Sequence, residues 1–147
     1  MNTSAYLQFQ GNCREAFKFY AELFGGKIPF ALTYGESPMA AQTSPEWRGK
    51  IAHARLDLGE QMLLGSDVDP ARYLAPQGFN VMVAVDEPAE AERVFKGLAE
   101  QGTVTMPFQE TFWARRFGMC TDRFGIPWMV NCAKPLEGVA SAARATA

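Results

Sequence analysis

The chain has 147 residues, 48% of them apolar and 20% charged, with a formal net charge of −2. That length and balance fit one globular domain with a single core, and the slight acidity excludes the basic footprint of a nucleic-acid-binding surface. Apolar runs are only a few residues long, too short to cross a bilayer as helices, so no membrane partner is expected.

The first segment, MNTSAYLQFQ, has neither a charged n-region nor an apolar h-region and reads as no signal peptide. Within it AYLQF is a short, partly alternating strand. GNCRE then opens a helix, with Asn12 as N-cap and Glu15 at the third position in a capping-box arrangement. The helix CREAFKFYAELF places Ala16, Phe19, Tyr20 and Leu23 on one stripe and stops at Gly25-Gly26, where a left-handed cap is cheap. KIPFALTY, KIAHARLDL and EQMLLGS follow as strands. Between the first two of these lies GESPMAAQTSPEWRG (35–49), a Pro/Ser-rich loop long enough to be a functional lid or a disordered stretch. DVDPARYLAPQG reads as a linker.

The plan then repeats. NVMVAV is a strand, Asp86 or Glu87 caps a second helix with Pro88 in its first turn, and that helix closes at Gly102. Strand material returns in TVTMPFQET, WARRFGMCTD and IPWMVNC. Shifted along the chain, Glu15, Ala16, Tyr20 and Leu23 match Glu90, Ala91, Phe95 and Leu98. Each half is therefore β-α-β-β-β. The expected fold class is α+β: two βαβββ modules, about 4–68 and 78–133, forming an open-sided barrel around a central cavity. Residues 1–133 make a single domain, and 134–147 form a small, polar, frayed tail.

The three cysteines, Cys13, Cys120 and Cys132, include no C-x-x-C pair, which suits free thiols in a reducing cytoplasm. Cys13 starts a helix, where its pKa would fall and make it reactive; the alternative is a small buried hydrophobe. The single histidine, His53, lies on IAHARLDL. Imidazole exchanges protons near neutral pH, which suits acid/base work or ligand hydrogen bonding. Phe112-Trp113 begins the third strand of the second half and could stack on a planar ligand. Alternation from Trp113 puts Arg115, Phe117 and Met119 on its face and Arg116 with Phe112. One of the two arginines could neutralise an anion, and the sequence does not say which.

The opening YLQFQGNCREAFKFYAELFGG and the closing TMPFQETFWARRFGMCTDRFGIPWMVN, on a paired βαβββ plan, resemble the vicinal oxygen chelate superfamily, and within it the PhnB-like branch. The resemblance covers about residues 4–133. It implies relatives such as glyoxalase I, fosfomycin-resistance transferases, extradiol dioxygenases and bleomycin-binding proteins, hence a fold and a pocket more than a chemistry. In metal-binding members the ligands stand on the first and last strand of each half. Carried over, those positions fall on Ala5, Asn80, Met129, and Leu63 or Leu64. A slip of one residue brings in Tyr6, Val81 and Trp128 or Val130. None of these donors suits a hard divalent ion, so no metal is expected. A metal site rebuilt around His53 would need Asp57, Asp67 or Glu110 to converge on it.

The expected pocket lining is Leu7, Phe9, Leu63, Asn80, Met82, Trp113 and Met129, with His53 as the tentative catalytic residue. Such a lining favours a small organic ligand, bound or sequestered without metal. The alternative is a lyase, isomerase or transferase using His53 as acid/base, with or without metal. No cofactor is expected: no glycine-rich turn follows a first strand and opens a helix, as S-adenosylmethionine binding would need. The resemblance also implies a homodimer, which exposed edge strands would favour.

Overall fold

A computed structural model describes residues 1–135; the expected tail from 136 onward lies outside the described residues. The elements follow the expected order. The first half has β1 (Ala5–Phe9), α1 (Cys13–Phe24), β2 (Lys27–Thr33), β3 (Ile51–Leu58) and β4 (Gln61–Asp67). The second has β5 (Val81–Ala84), α2 (Pro88–Ala99), β6 (Thr103–Gln109), β7 (Ala114–Thr121) and β8 (Pro127–Ala133). The loop 35–49 holds one short 3-10 turn, Ala40–Gln42, and is tied down by backbone bonds from Tyr34 to Lys50 and Gly35 to Arg48.

The strands form two four-stranded sheets, ordered β1-β4-β3-β2 and β5-β8-β7-β6. In each, the first strand pairs in parallel with the last, because the intervening helix carries the chain across. The α+β class and the two βαβββ modules are thus both present. The described residues divide into two compact units: 1–79 with 123–126, and 80–122 with 127–135. The turn 123–126 joins the first unit through Phe124, whose ring meets Phe19 at 5.9 Å and Tyr20 at 6.0 Å. Arg123 stacks over Phe19, 4.1 Å from the ring centroid.

In each unit one face of the sheet is covered by its helix, and that is where the apolar side chains concentrate. Leu7, Phe9, Ala54, Leu56 and Leu63 are buried in the first unit along with Ala16, Phe17, Tyr20 and Leu23 of α1. The buried stripe uses Phe17 where Phe19 was expected. In the second unit Ala91, Val94, Phe95 and Leu98 of α2 are buried, as are Cys120, Trp128 and Val130 of the sheet. Trp128 donates from Nε1 to the buried Asp122 carboxylate at 2.8 Å, which gives the indole N–H a partner inside the core.

The start of α1 differs from expectation. Asn12 makes no side-chain capping bond. The carboxylate of Asp67, at the end of β4 and opposite Phe9, takes that role. Its Oδ1 accepts from the backbone N–H groups of Gly11 and Cys13, both at 2.9 Å, and its Oδ2 from Ile51 at 2.8 Å. A full negative charge at a helix N-terminus, with three charge-assisted bonds, outcompetes a neutral local amide. At the other ends, α1 closes with Gly25 at φ 72°, whereas behind α2 the left-handed residue is Gln101 at φ 59°. Gly102 is needed next for space: a Cβ there would run into the Thr121 carbonyl.

The outer strands β2 and β6 each carry an apolar-Pro-Phe step, Ile28-Pro29-Phe30 and Met106-Pro107-Phe108, where their pairing shifts register. Proline cannot donate to another strand, so both sheet edges are blunted in the same way.

Candidate functional site

The face of each sheet away from its helix is where side chains meet solvent, and alternation decides which residues stand there. On β3, Ala54 and Leu56 are buried toward α1, so His53, Arg55 and Asp57 occupy the open face. Register places Tyr6, Leu64, Arg55 and Phe30 opposite one another across all four strands of the first sheet.

The Tyr6 hydroxyl and His53 Nδ1 are 3.0 Å apart, and their rings stack at 5.6 Å with 20° between planes. Phe30 flanks the imidazole at 5.9 Å. With the imidazole proton on Nε2, the phenol O–H donates to Nδ1 and the ring presents an N–H outward. With the proton on Nδ1, that N–H donates to the phenol oxygen, and Nε2 becomes a free base. Either way Tyr6 engages Nδ1 and leaves Nε2 outside that bond. On the same face, Arg55 Nε donates to Asp57 Oδ1 at 2.5 Å, which pairs these two charges with each other.

Gln8, two residues from Tyr6 on the same side of β1, leads into a cleft of about 860 Å³ in the same unit. Tyr34, Met39, Trp47, Val68 and Arg72 line it, with the polar side chains of the 40–44 segment. The size suits a small organic molecule. Tyr34 donates its hydroxyl to the Asp67 carbonyl at 2.7 Å. Burial, and next the Asp67 charge, push the Tyr34 phenol above its ordinary pKa, so it stays a donor. Trp47 offers an aromatic face and Arg72 a cation at the wall.

The expected lining separates by geometry. Leu7 is 2%, Phe9 0% and Leu63 6% exposed, and Phe9 packs edge-on against Phe17 of α1. These three belong to the core under the helix and not to the open face. A sheet covered on one side gives its apolar phase to the helix, so Tyr6 and Gln8, out of phase with Leu7, are the outward residues. In the first half the carried-over positions on the open face are therefore Tyr6 and Leu64, not Ala5 and Leu63.

In the second unit Met82 and Met129 stand opposite each other, out of phase with buried Trp128 and Val130. Asn80 precedes β5 in the phase of Met82. Trp113 meets Phe117 edge-on at 5.4 Å and Phe112 at 4.6 Å. Of the two arginines, Arg115 donates to the carbonyls of Asp86 at 2.6 Å and Ala133 at 3.1 Å, a structural tie, while Arg116 is exposed.

Cys13 is wholly buried. Desolvation, then the Asp67 charge, push its thiol pKa far up, so burial overrides the helix N-terminus and the thiol is not activated. Cys120 is pushed up to about 11 by burial and then by Asp122. All three cysteines are free and buried.

Of the positions to which the superfamily resemblance assigns metal ligands, the first unit offers Tyr6 and Leu64 on its open face and the second offers Asn80 and Met129. A phenol in one unit and an amide and a thioether in the other are not donors that suit a hard divalent ion. Among the described residues no three His, Cys, Asp or Glu side chains converge, and Asp67, offered above as a partner for His53, is engaged by backbone donors.

Two βαβββ units, each a four-stranded sheet with one helix-covered and one open face, define the structural class. The chain belongs to the family described as 3-demethylubiquinone-9 3-methyltransferase, whose model matches residues 2–131. It is similar to Protein YjdN of Escherichia coli (strain K12), 36% identical over 142 residues, covering 91% of this chain and 97% of that one. It is also similar to protein PA1353 from Pseudomonas aeruginosa, with 48% identity, 90% and 98% coverage and a TM-score of 0.83. A PhnB protein from Bacillus cereus, described as a putative 3-demethylubiquinone-9 3-methyltransferase, is 26% identical with 90% and 100% coverage and a TM-score of 0.76. The family is therefore PhnB-like. Among the described residues no helix is long and apolar enough to cross a membrane.

Proposed function

We propose that this PhnB-like protein belongs to the vicinal oxygen chelate superfamily and binds a small organic ligand in the cleft of its first unit. His53, held by Tyr6, would be the polar contact at the cleft's edge. The supporting observation is the Tyr6–His53 pair at 3.0 Å on the open face that leads, through Gln8, into the cleft lined by Trp47 and Arg72. An aromatic wall beside a cation favours a planar, anionic ligand. In the other unit Met82 and Met129 stand opposite each other, with Asn80 and Trp113 toward opposite ends of the same sheet, and these four are read as a separate set of ligand contacts.

2-Naphthoate is a suitable probe, followed by tryptophan fluorescence. Saturable binding that weakens at least tenfold in both Trp47→Ala and His53→Ala, with unchanged circular dichroism, supports the reading. Equal binding by wild type and both variants overturns it.

A second reading, acid/base catalysis at His53, is favoured by the same Tyr6 bond, which leaves Nε2 directed away from its partner. It predicts that His53→Ala abolishes turnover of any substrate found and that Tyr6→Phe shifts the pH profile of kcat/KM. A variant pair as active as the wild type would reduce His53 to a binding contact. The family description names a methyltransferase, but the N-terminus of α1, the helix after the first parallel strand, is already taken by the Asp67 carboxylate. Calorimetric titration with S-adenosylmethionine is expected to show no binding.

A further inference from the structure

The open face of the second sheet carries a feature that the cleft does not explain. Met82 of β5 is opposite Met129 of β8, Met129 is opposite Met119 of β7, and Met119 is opposite Met106 of β6. Four of the seven methionines thus form one row across all four strands. Met82 is 57% and Met106 36% exposed, so the row is open to solvent at both ends. Beside it, Asn131 follows Met129 in the same phase of β8, opposite Phe117, and its Oδ1 is buried with no hydrogen-bond partner among the described residues.

From this register we infer that the methionine row binds a soft monovalent cation, Cu(I) or Ag(I). Opposed Cβ atoms on neighbouring strands are about 5 Å apart. Three rotatable bonds let each thioether lean toward the next, so Met129 and its neighbours Met82 and Met119 can close on one ion. Thioether sulfur is a soft, neutral donor that prefers Cu(I) and has little affinity for Mg(II) or Ca(II). The row on one side of Met129 holds Ala84, Asn131, Phe117 and Gln109, and the row on the other holds Pro127, Thr121 and Thr103, so no carboxylate stands in either to compete with sulfur. Cys120 and Cys132, the thiols of the same unit and stronger soft ligands, are buried out of phase with Met119 and Met129 and do not stand on this face.

The test is titration of the full chain, labelled with 13C at the methionine methyl groups, with Ag(I) in chloride-free buffer and with Cu(I) under anaerobic reduction. One equivalent is expected to shift the methyl signals of Met82, Met119 and Met129 and to leave Met1, Met39 and Met62 in place. Met129→Leu keeps volume and is expected to weaken binding at least tenfold, as is Met82→Leu, whose exposed position puts the fold at no risk. Zn(II) should leave the spectrum unchanged. The inference is overturned if the row's methyl signals stay fixed through several equivalents. It is equally overturned if both leucine variants bind as tightly as the wild type. Neither result bears on 2-naphthoate binding, which is read from the first unit.

Discussion

The two halves of this chain agree where they face their helices and part company on the faces they leave open. Under α1 and α2 the sheets present interchangeable apolar surfaces: Leu7, Phe9, Leu56 and Leu63 in one, Cys120, Trp128 and Val130 in the other. On the open sides the first sheet shows Tyr6, His53, Arg55 and Phe30, and the second shows a line of methionines. Packing constrains one face to close-fitting hydrocarbon. The other is free to differ, and chemistry can be placed there without unfolding the scaffold.

Truncating one side chain on each kind of face should separate the two most widely in stability. Phe9→Ala is expected to cost about 4 kcal/mol in urea denaturation. Met82→Ala, on an open face, should cost less than about 1 kcal/mol. Equal losses would mean that the faces are assigned wrongly.

The anchors at the strand ends provide the next contrast. Asp67 ties α1 and β3 through three backbone donors, whereas near the end of β8 Cys132 makes only a long contact, Sγ to the Asp86 carbonyl at 3.4 Å. Asp67→Asn loses the charge and turns an NH₂ group toward an N–H, and about 3 kcal/mol of stability should go with it. Cys132→Ala should cost about 1 kcal/mol.

Close packing under α1 gives a smaller effect. A Cβ on Gly65 would lie 2.8 Å from Cζ of Phe17 and 3.0 Å from the Leu7 carbonyl. Gly65→Ala is therefore expected to lower stability by about 2 kcal/mol through overpacking.

The buried thiols set the alkaline limit. Cys120 titrates near 9.0 when exposed and about 11 when folded. The unfolded chain therefore releases its proton first, and stability present below pH 9 falls as the pH rises toward 11. Urea midpoints across that range should decline, and Cys120→Ala should lessen the decline while leaving the part due to the Cys13 thiol, which burial raises further.

Much of this organisation is legible in the sequence, and the misses have definite causes. The periodicity of CREAFKFYAELF and the glycines after it locate α1, and the repeated strand-helix grammar gives both modules. Facing was harder. Leu7 and Phe9 look like pocket residues only if the apolar phase of β1 is assigned to a cavity, yet a helix that buries Phe17 and Tyr20 claims that phase. The Asp67 anchor was invisible because its partners Gly11, Cys13 and Ile51 lie more than a dozen residues away, and a local Asn12–Glu15 box offered a cheaper answer. Tyr6 as the partner of His53 and the methionine row both depend on cross-strand register, which one chain read in order does not display.

The proposed function places ligand recognition on the open face and in the cleft of the first unit. Backbone amide NMR of the 15N-labelled protein titrated with 2-naphthoate tests it directly. Saturable shifts centred on Gln8, Tyr34, Trp47 and His53 are predicted. Shifts confined to the second unit, or none that saturate, would contradict the claim.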